Sequence, residues 1–202
     1  MTYTRSAGEE QNYSWIKHPR SVQDVLDLAR TYINADQFDE AHRLLGPLIA
    51  NGNPEALYLG AGFSLPNETT ETYDRRHLEW ITQSAEQNYP PALFVLGVYY
   101  DTGELVNLDK TKAAQLFKRA AELKHAHSQC IHGTALLYGT KDVEKDERRG
   151  MEYILESAKA KFQGALEMLA RFYEKGEFGF PIDLQKANSL RAQTTEKDVL
   201  GY

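Results

Sequence analysis

The residues best able to do chemistry stand together in His125-Ala126-His127-Ser128-Gln129-Cys130-Ile131-His132. Zinc is held tetrahedrally by imidazole nitrogens and thiolates, so the question is whether the spacing lets them converge. On a helix His127 and Cys130, three apart, share a face. His132 falls two residues after Cys130 and points elsewhere, and His125 lies in the turn before the helix. Two ligands converge, and Cys130 is the one cysteine of the chain, so no Cys-x-x-Cys pair completes a set. The expectation is that no metal and no cofactor binds. His132 reads as a neutral core histidine with one hydrogen-bond partner.

Other chemistries find less support. The chain has no Gly-x-Ser-x-Gly elbow, no phosphate loop and no Gly-x-Gly-x-x-Gly turn. Its carboxylates are interleaved with Lys and Arg, as from Lys141 to Arg149, the pattern of a solvated helix surface. A non-enzymatic protein is expected. With 23 Lys and Arg against 29 Asp and Glu the net charge is −6. No basic stripe offers itself to phosphates, which opposes nucleic acid as a partner. Mild acidity instead favours encounter with a basic protein. One cysteine forms no intrachain disulfide, so a disulfide scaffold is excluded and a reducing compartment fits. Residues 1–10 lack the apolar stretch of a signal peptide. No later run reaches the roughly 18 apolar residues of a membrane span. These features predict a cytoplasmic protein without membrane insertion, monomeric or weakly dimeric.

What must position any site is a ladder of repeats. Gly60, Gly97, Gly133 and Ala170 recur at steps of 37, 36 and 37 residues. A leucine column runs one position earlier through Leu59, Leu96, His132 and Leu169, and a ring column through Phe63, Tyr100, Leu136 and Tyr173. Cations follow at Arg76, Lys112, Arg149 and Lys186, then Trp80, Leu116, Tyr153 and Leu190, then Ala85, Ala121 and Ala158. Several columns in one register identify a repeat architecture. Each unit carries two apolar patterns of helical period split by a turn. Pro91 to Tyr100 predicts a first helix, closed near Gly103 by a left-handed cap. Asp109 is the N-cap expected for a second helix from Lys110 to Lys124. A glycine or alanine at the contact lets such a pair cross closely, with Leu96, Tyr100 and Phe117 filling the flanks. A shorter unit precedes these, with Leu28, Ala29 and Tyr32 on its first helix, Ser21 and Asp24 as its N-cap pair, and Phe38 opening its second.

The prediction is all-α: a right-handed α-solenoid of about five helix-turn-helix repeats, or about ten helices. One helical-repeat domain is expected over residues 21–193, in units 21–52, 53–89, 90–126, 127–162 and 163–193. Residues 1–20 read as an N-terminal extension and 194–202 as a tail, with Trp15 and Ile16 expected to dock as a cap.

Ala92-x-x-x-Leu96-Gly97-x-x-Tyr100-x-x-Gly103, followed by Asp109-x-x-Lys112-Ala113-x-x-Leu116-Phe117-x-x-Ala120-Ala121, resembles the Sel-one-like repeat of the tetratricopeptide-like superfamily. The resemblance covers residues 53–193 as four units; the unit at 21–52 is closer to an ordinary tetratricopeptide repeat. It implies an adaptor or scaffold, or in bacteria a protein that neutralises a co-produced toxin. Some positions depart from the pattern. The first full unit has Ser64-Leu65-Pro66-Asn67-Glu68-Thr69-Thr70 in place of the turn glycine. The third has His132, Leu136 and Gly150 in the leucine, ring and alanine columns and a charged turn from Thr140 to Asp146. The fourth has the loop Glu177-Phe178-Gly179-Phe180-Pro181. Departures from an idealised unit are where specificity tends to sit.

In stacked helix pairs the first helices line the concave surface. Positions two before, two after and five after the leucine column should face it. These are Leu57, Ala61 and Ser64; Phe94, Val98 and Asp101; Cys130, Thr134 and Leu137, with Tyr138 beside them; and Glu167, Arg171 and Glu174. The middle is apolar and aromatic and the C-terminal end charged, the make-up of a protein hot spot. Leu57, Phe94, Val98, Asp101, Thr134, Leu137, Tyr138, Glu167, Arg171 and Glu174 are the expected partner-binding residues, with the Tyr138 and Glu177–Pro181 loops completing the grip. The expected function is a protein–protein interaction module, in its narrower form an immunity protein against a co-encoded bacterial toxin or effector. The alternative is a regulatory adaptor or a peptide or small-ligand sensor, which needs polar groups converging in a pocket.

Overall fold

The computed structural model describes residues 21–193; the extension at 1–20, with Trp15 and Ile16, and the tail at 194–202 lie outside the described residues. Among the described residues there are ten α-helices and no strand, the all-α helical-repeat fold that the columns predict. They gather into two compact units dividing after Ser84.

The first unit holds α1 (Val22–Asn34), α2 (Phe38–Ala50), α3 (Pro54–Ala61) and most of α4 (Thr70–Glu86). Ser21 and Asp24 form the expected capping box, each side chain accepting from the other's backbone N–H. Asn53 caps α3 by accepting from Ala56 N, with Pro54 in the first turn, where its missing N–H is no loss. Leu26, Ala29, Ala41, Leu45, Ala56 and Phe63 make the core. The turn between α3 and α4, whose C-cap Gly62 is right-handed at φ −74°, is tied down by Arg76. Its Nη1 donates to Gly60 O at 3.0 Å and its Nη2 to Phe63 O at 2.8 Å. Nε and Nη2 donate to the two oxygens of Glu68 at 2.7 and 2.8 Å. That bond holds the Glu68 carboxyl down at about 2 against the opposing effect of burial.

The second unit holds three helix pairs: α5 (Pro90–Thr102) with α6 (Lys110–Glu122), α7 (Ala126–Tyr138) with α8 (Glu147–Lys159), and α9 (Gln163–Lys175) with α10 (Leu184–Arg191). Every second helix starts alike. Asp109, Asp146 and Asp183 each accept from the backbone N–H three residues on, at Lys112, Arg149 and Lys186. Gly103, at φ +78°, closes α5 with the left-handed cap its position predicts. The pairs cross at the glycine column, but not to the same depth. A Cβ on Gly97 would stand 2.7 Å from the Phe117 ring, whereas a Cβ on Gly150 would stand 2.8 Å from both Gly133 O and Leu137 N. Thus α5 rests on a side chain of α6, while α7 and α8 meet backbone to backbone. Ser157 Oγ fastens the latter pair by donating to Ala126 O at 2.7 Å.

Candidate protein-binding face

Helices α5, α7 and α9 line up through an aromatic stack. The His127 ring lies between Phe94 and Phe162, with centroids 4.3 and 4.5 Å away, and His125 stands 5.1 Å from Phe94. His125 also caps α7, its Nδ1 2.9 Å from Ser128 Oγ and accepting from Ser128 N. Burial, and then the neighbouring charge of His127, push the His125 imidazole down to about 4; burial lowers His127 as well. Both are therefore neutral rings at neutral pH, suited to stacking. Half-buried Phe94 also touches Phe117 at 6.0 Å, so it supports the α5–α6 pair as well as lining the face.

Beyond the stack, Val98 and Thr134 are half-buried and Asp101 accepts from Lys110 Nζ at 2.9 Å. Thr134 Oγ1 donates to Cys130 O at 2.7 Å. Cys130 itself is buried against α9, and burial pushes its thiol up to about 11, outweighing the opposing pull of Thr134. His127 and Cys130 are thus separated into a stack and a core. Among the described residues no group of three His, Cys, Asp or Glu side chains gathers as a metal set.

The charged end is more tightly wired than the spacing suggests. Tyr138, half exposed at 50%, accepts from Arg171 Nη2 at 2.7 Å. Arg171 Nε lies 3.4 Å from Glu177. Arg191, on α10, donates to both oxygens of Glu167 at 3.0 and 3.1 Å and to Glu174 at 2.9 Å. The Glu177–Pro181 segment keeps Gly179 and Pro181 exposed. It contains a 3-10 turn, Glu177–Gly179, that turns Phe178 inward onto Phe172 at 4.9 Å and Tyr138 at 5.6 Å. Arg191 escapes sequence reading because it lies beyond the last column, on the second helix. Phe178 escapes because only φ +54° at that residue aims it inward.

Two expected contact residues are corrected. Leu57 is 1% exposed and Leu137 0%, so neither offers a surface; the adjacent candidates Ala61 and Cys130 are buried too. A constant offset from the leucine column assumes that every first helix is rolled alike. The deep Gly133–Gly150 crossing instead draws Leu137 into the α7–α8 contact, and α3, eight residues long, borders both α1 and α2. Phe94, Val98, Asp101, Thr134, Tyr138, Glu167, Arg171 and Glu174 retain at least partial exposure. His132 is buried, as expected, and its ring meets the edge of Tyr153 at 5.2 Å.

Comparison with known proteins follows the same repeats. The model of the Sel1 repeat matches residues 90–125, 126–162 and 164–190. No curated protein matches the chain. Among solved structures, a Sel1 repeat protein from Oxalobacter formigenes is similar at TM-score 0.68 and 19% identity, over 88% of this chain and 72% of that one. The protein c5321, a protective antigen present in uropathogenic Escherichia coli strains displaying an SLR fold, is similar at TM-score 0.59 and 18% identity. That match covers 96% of this chain and 49% of the other. At such identities the likeness is one of fold.

Proposed function

Because the chain belongs to the Sel1 repeat family through residues 90–190, we propose that it holds a protein partner on the face of α5, α7 and α9 and catalyses no reaction. Sel1 repeat proteins are generally protein-interaction modules. The observation that carries this reading is the zoning of the face. The Phe94–His127–Phe162 stack, with Val98 and Thr134, supplies a preformed apolar centre. The Tyr138–Arg171 pair and the carboxylates of Glu167 and Glu174 supply a charged rim on one side. Rigid aromatic anchors inside a polar rim are what binding hot spots use. The net charge of −6 suits a basic partner.

In its narrowest form the proposal makes the protein an immunity protein held in the cytoplasm, masking a basic toxin encoded beside it. Binding and silencing of the neighbouring gene's product, assayed with purified proteins and by survival of cells expressing both, tests that form. The broader reading is tested with the same partner. Tyr138→Ala and Arg171→Ala should weaken it, and Arg148→Ala, on the exposed surface of α8, should not. Equal binding by all three would place the contact on another face.

A further inference from the structure

The third repeat departs from the ladder at three places, and two of them, His132 and Leu136, line one cavity. His132 stands where α5 and α9 have leucine, Leu136 where they have tyrosine, and Gly150 where α6 and α10 have Ala113 and Ala187. In the α5–α6 repeat the ring column engages the cation: Lys112 Nζ donates to Tyr100 Oη at 2.6 Å and lies 4.0 Å over that ring. In the third repeat Leu136 stands in that column, and Arg149, the counterpart of Lys112, lines the same cavity. That cavity, of about 660 Å³, is bordered by α6, α7, the turn 140–146 and the start of α8. That volume falls within the range of roughly 300–1,000 Å³ typical of small-ligand sites.

Lys118, Arg149, Gln115 and the 5%-exposed His132 share its wall. Burial, and then the charges of Lys118 and Arg149, keep the His132 ring below its ordinary pKa, while Glu122 acts the other way. The wall also carries the carboxylates Asp142, Glu144 and Asp146, two of them oriented by neutral donors. Asp142 accepts from Thr111 Oγ1 at 2.6 Å, and Asp146 caps α8 by accepting from Arg149 N at 3.0 Å. Lys145, also on the wall, is paired with Glu147 at 2.7 Å. Lys118 and Arg149 project from two different helices, and three acids share the wall with them. The nearest carboxylate to Lys118 is Glu122, 3.9 Å away along its own helix.

We propose that this cavity is a binding site for a carboxylate-bearing ligand, received between Lys118 and Arg149 with His132 at its floor. The ligand is either a free polycarboxylic acid or an acidic peptide segment, since the same guanidinium and ammonium donors serve both. The site lies apart from the α5–α7–α9 face, so its failure and the failure of that face are separate results.

The test is a titration of isotope-labelled protein with citrate and with hexaglutamate, following the histidine ring signals by NMR. His132→Leu, which restores the leucine of the other repeats, assigns the signal. At least one probe should move the His132 resonance saturably and raise its titration midpoint, because a bound anion offsets the two cations. A response to citrate identifies a free acid as sufficient, and a response to hexaglutamate alone identifies an acidic segment. The double variant Lys118→Gln/Arg149→Gln alters exposed side chains and should stay folded, with affinity for the responding probe reduced about tenfold or more. Absence of any saturable His132 response up to about 10 mM of either probe, or unchanged affinity in the double variant, overturns the proposal.

Discussion

At the scale of single residues, the decisive positions are those where one atom more or less has nowhere to go. Gly150 meets the carbonyl of Gly133 and the amide of Leu137, which are backbone, whereas Gly97 meets the ring of Phe117, which can tilt. Gly150→Ala should therefore cost about 2–3 kcal/mol and Gly97→Ala less, within the range for overpacked cores. Paired urea denaturation curves measure the difference, and equal costs would mean that α7 and α8 separate as easily as α5 and α6. Arg76 is decisive for another reason. Its side chain is 12% exposed and that of its partner Glu68 8%, so removing either member leaves a charge with little water and fewer partners. Arg76→Met should destabilise by about 3 kcal/mol, the usual cost of breaking a buried pair. Glu68→Gln, which keeps an acceptor for Leu65 N, should cost less. If the exposed pair variant Arg75→Ala cost as much as Arg76→Met, the turn would not depend on Arg76.

At the scale of the element, α7 gathers three histidines whose titration is shifted the same way. Burial lowers His125, to about 4, and it lowers His127 and His132 also. In each case the unfolded chain binds more protons than the folded one as the pH falls from 6.5, so stability declines toward acid across that window. The carboxyl of Glu68, held at about 2, adds its own loss only below about 4.5. Denaturant midpoints should thus be lower at about pH 5 than at about pH 7.5. His125→Asn, which keeps a side-chain acceptor at the N-cap, should flatten that dependence. An unchanged slope in this variant would assign it to other groups. Much of this element scale was legible beforehand. The caps at Ser21 and Asp109 and the Gly103 stop are local, and the aspartate cap recurs at Asp146 and Asp183. The site was less legible because it depends on how deeply neighbouring helices cross. That depth set the burial of Leu137 and the stacking of His127, and the pairing of Glu167 and Glu174 with Arg191 needs a chain closure of more than one turn.

At the scale of the whole molecule, charge and contact surface divide the work of association. A net charge of −6 acts at a distance and is screened by salt. The apolar centre and the Tyr138–Arg171 pair act only after contact. For a basic partner, raising the salt from about 50 to about 500 mM should therefore slow association about tenfold or more while changing dissociation little. Tyr138→Ala removes a half-exposed ring that packs on Phe178 and accepts from Arg171. It should leave the association rate and its salt dependence intact and speed dissociation about tenfold or more, since anchor contacts act mainly through dissociation. Tyr138→Phe keeps the ring and loses only the Arg171 hydrogen bond, so its effect should fall between wild type and Tyr138→Ala. Stopped-flow association and dissociation rates for the three proteins separate these contributions. Salt-insensitive association would mean that the partner is not recognised through its basic charge. A Tyr138→Ala variant that slowed association without touching dissociation would mean that the tyrosine shapes the free face and does not anchor the bound one.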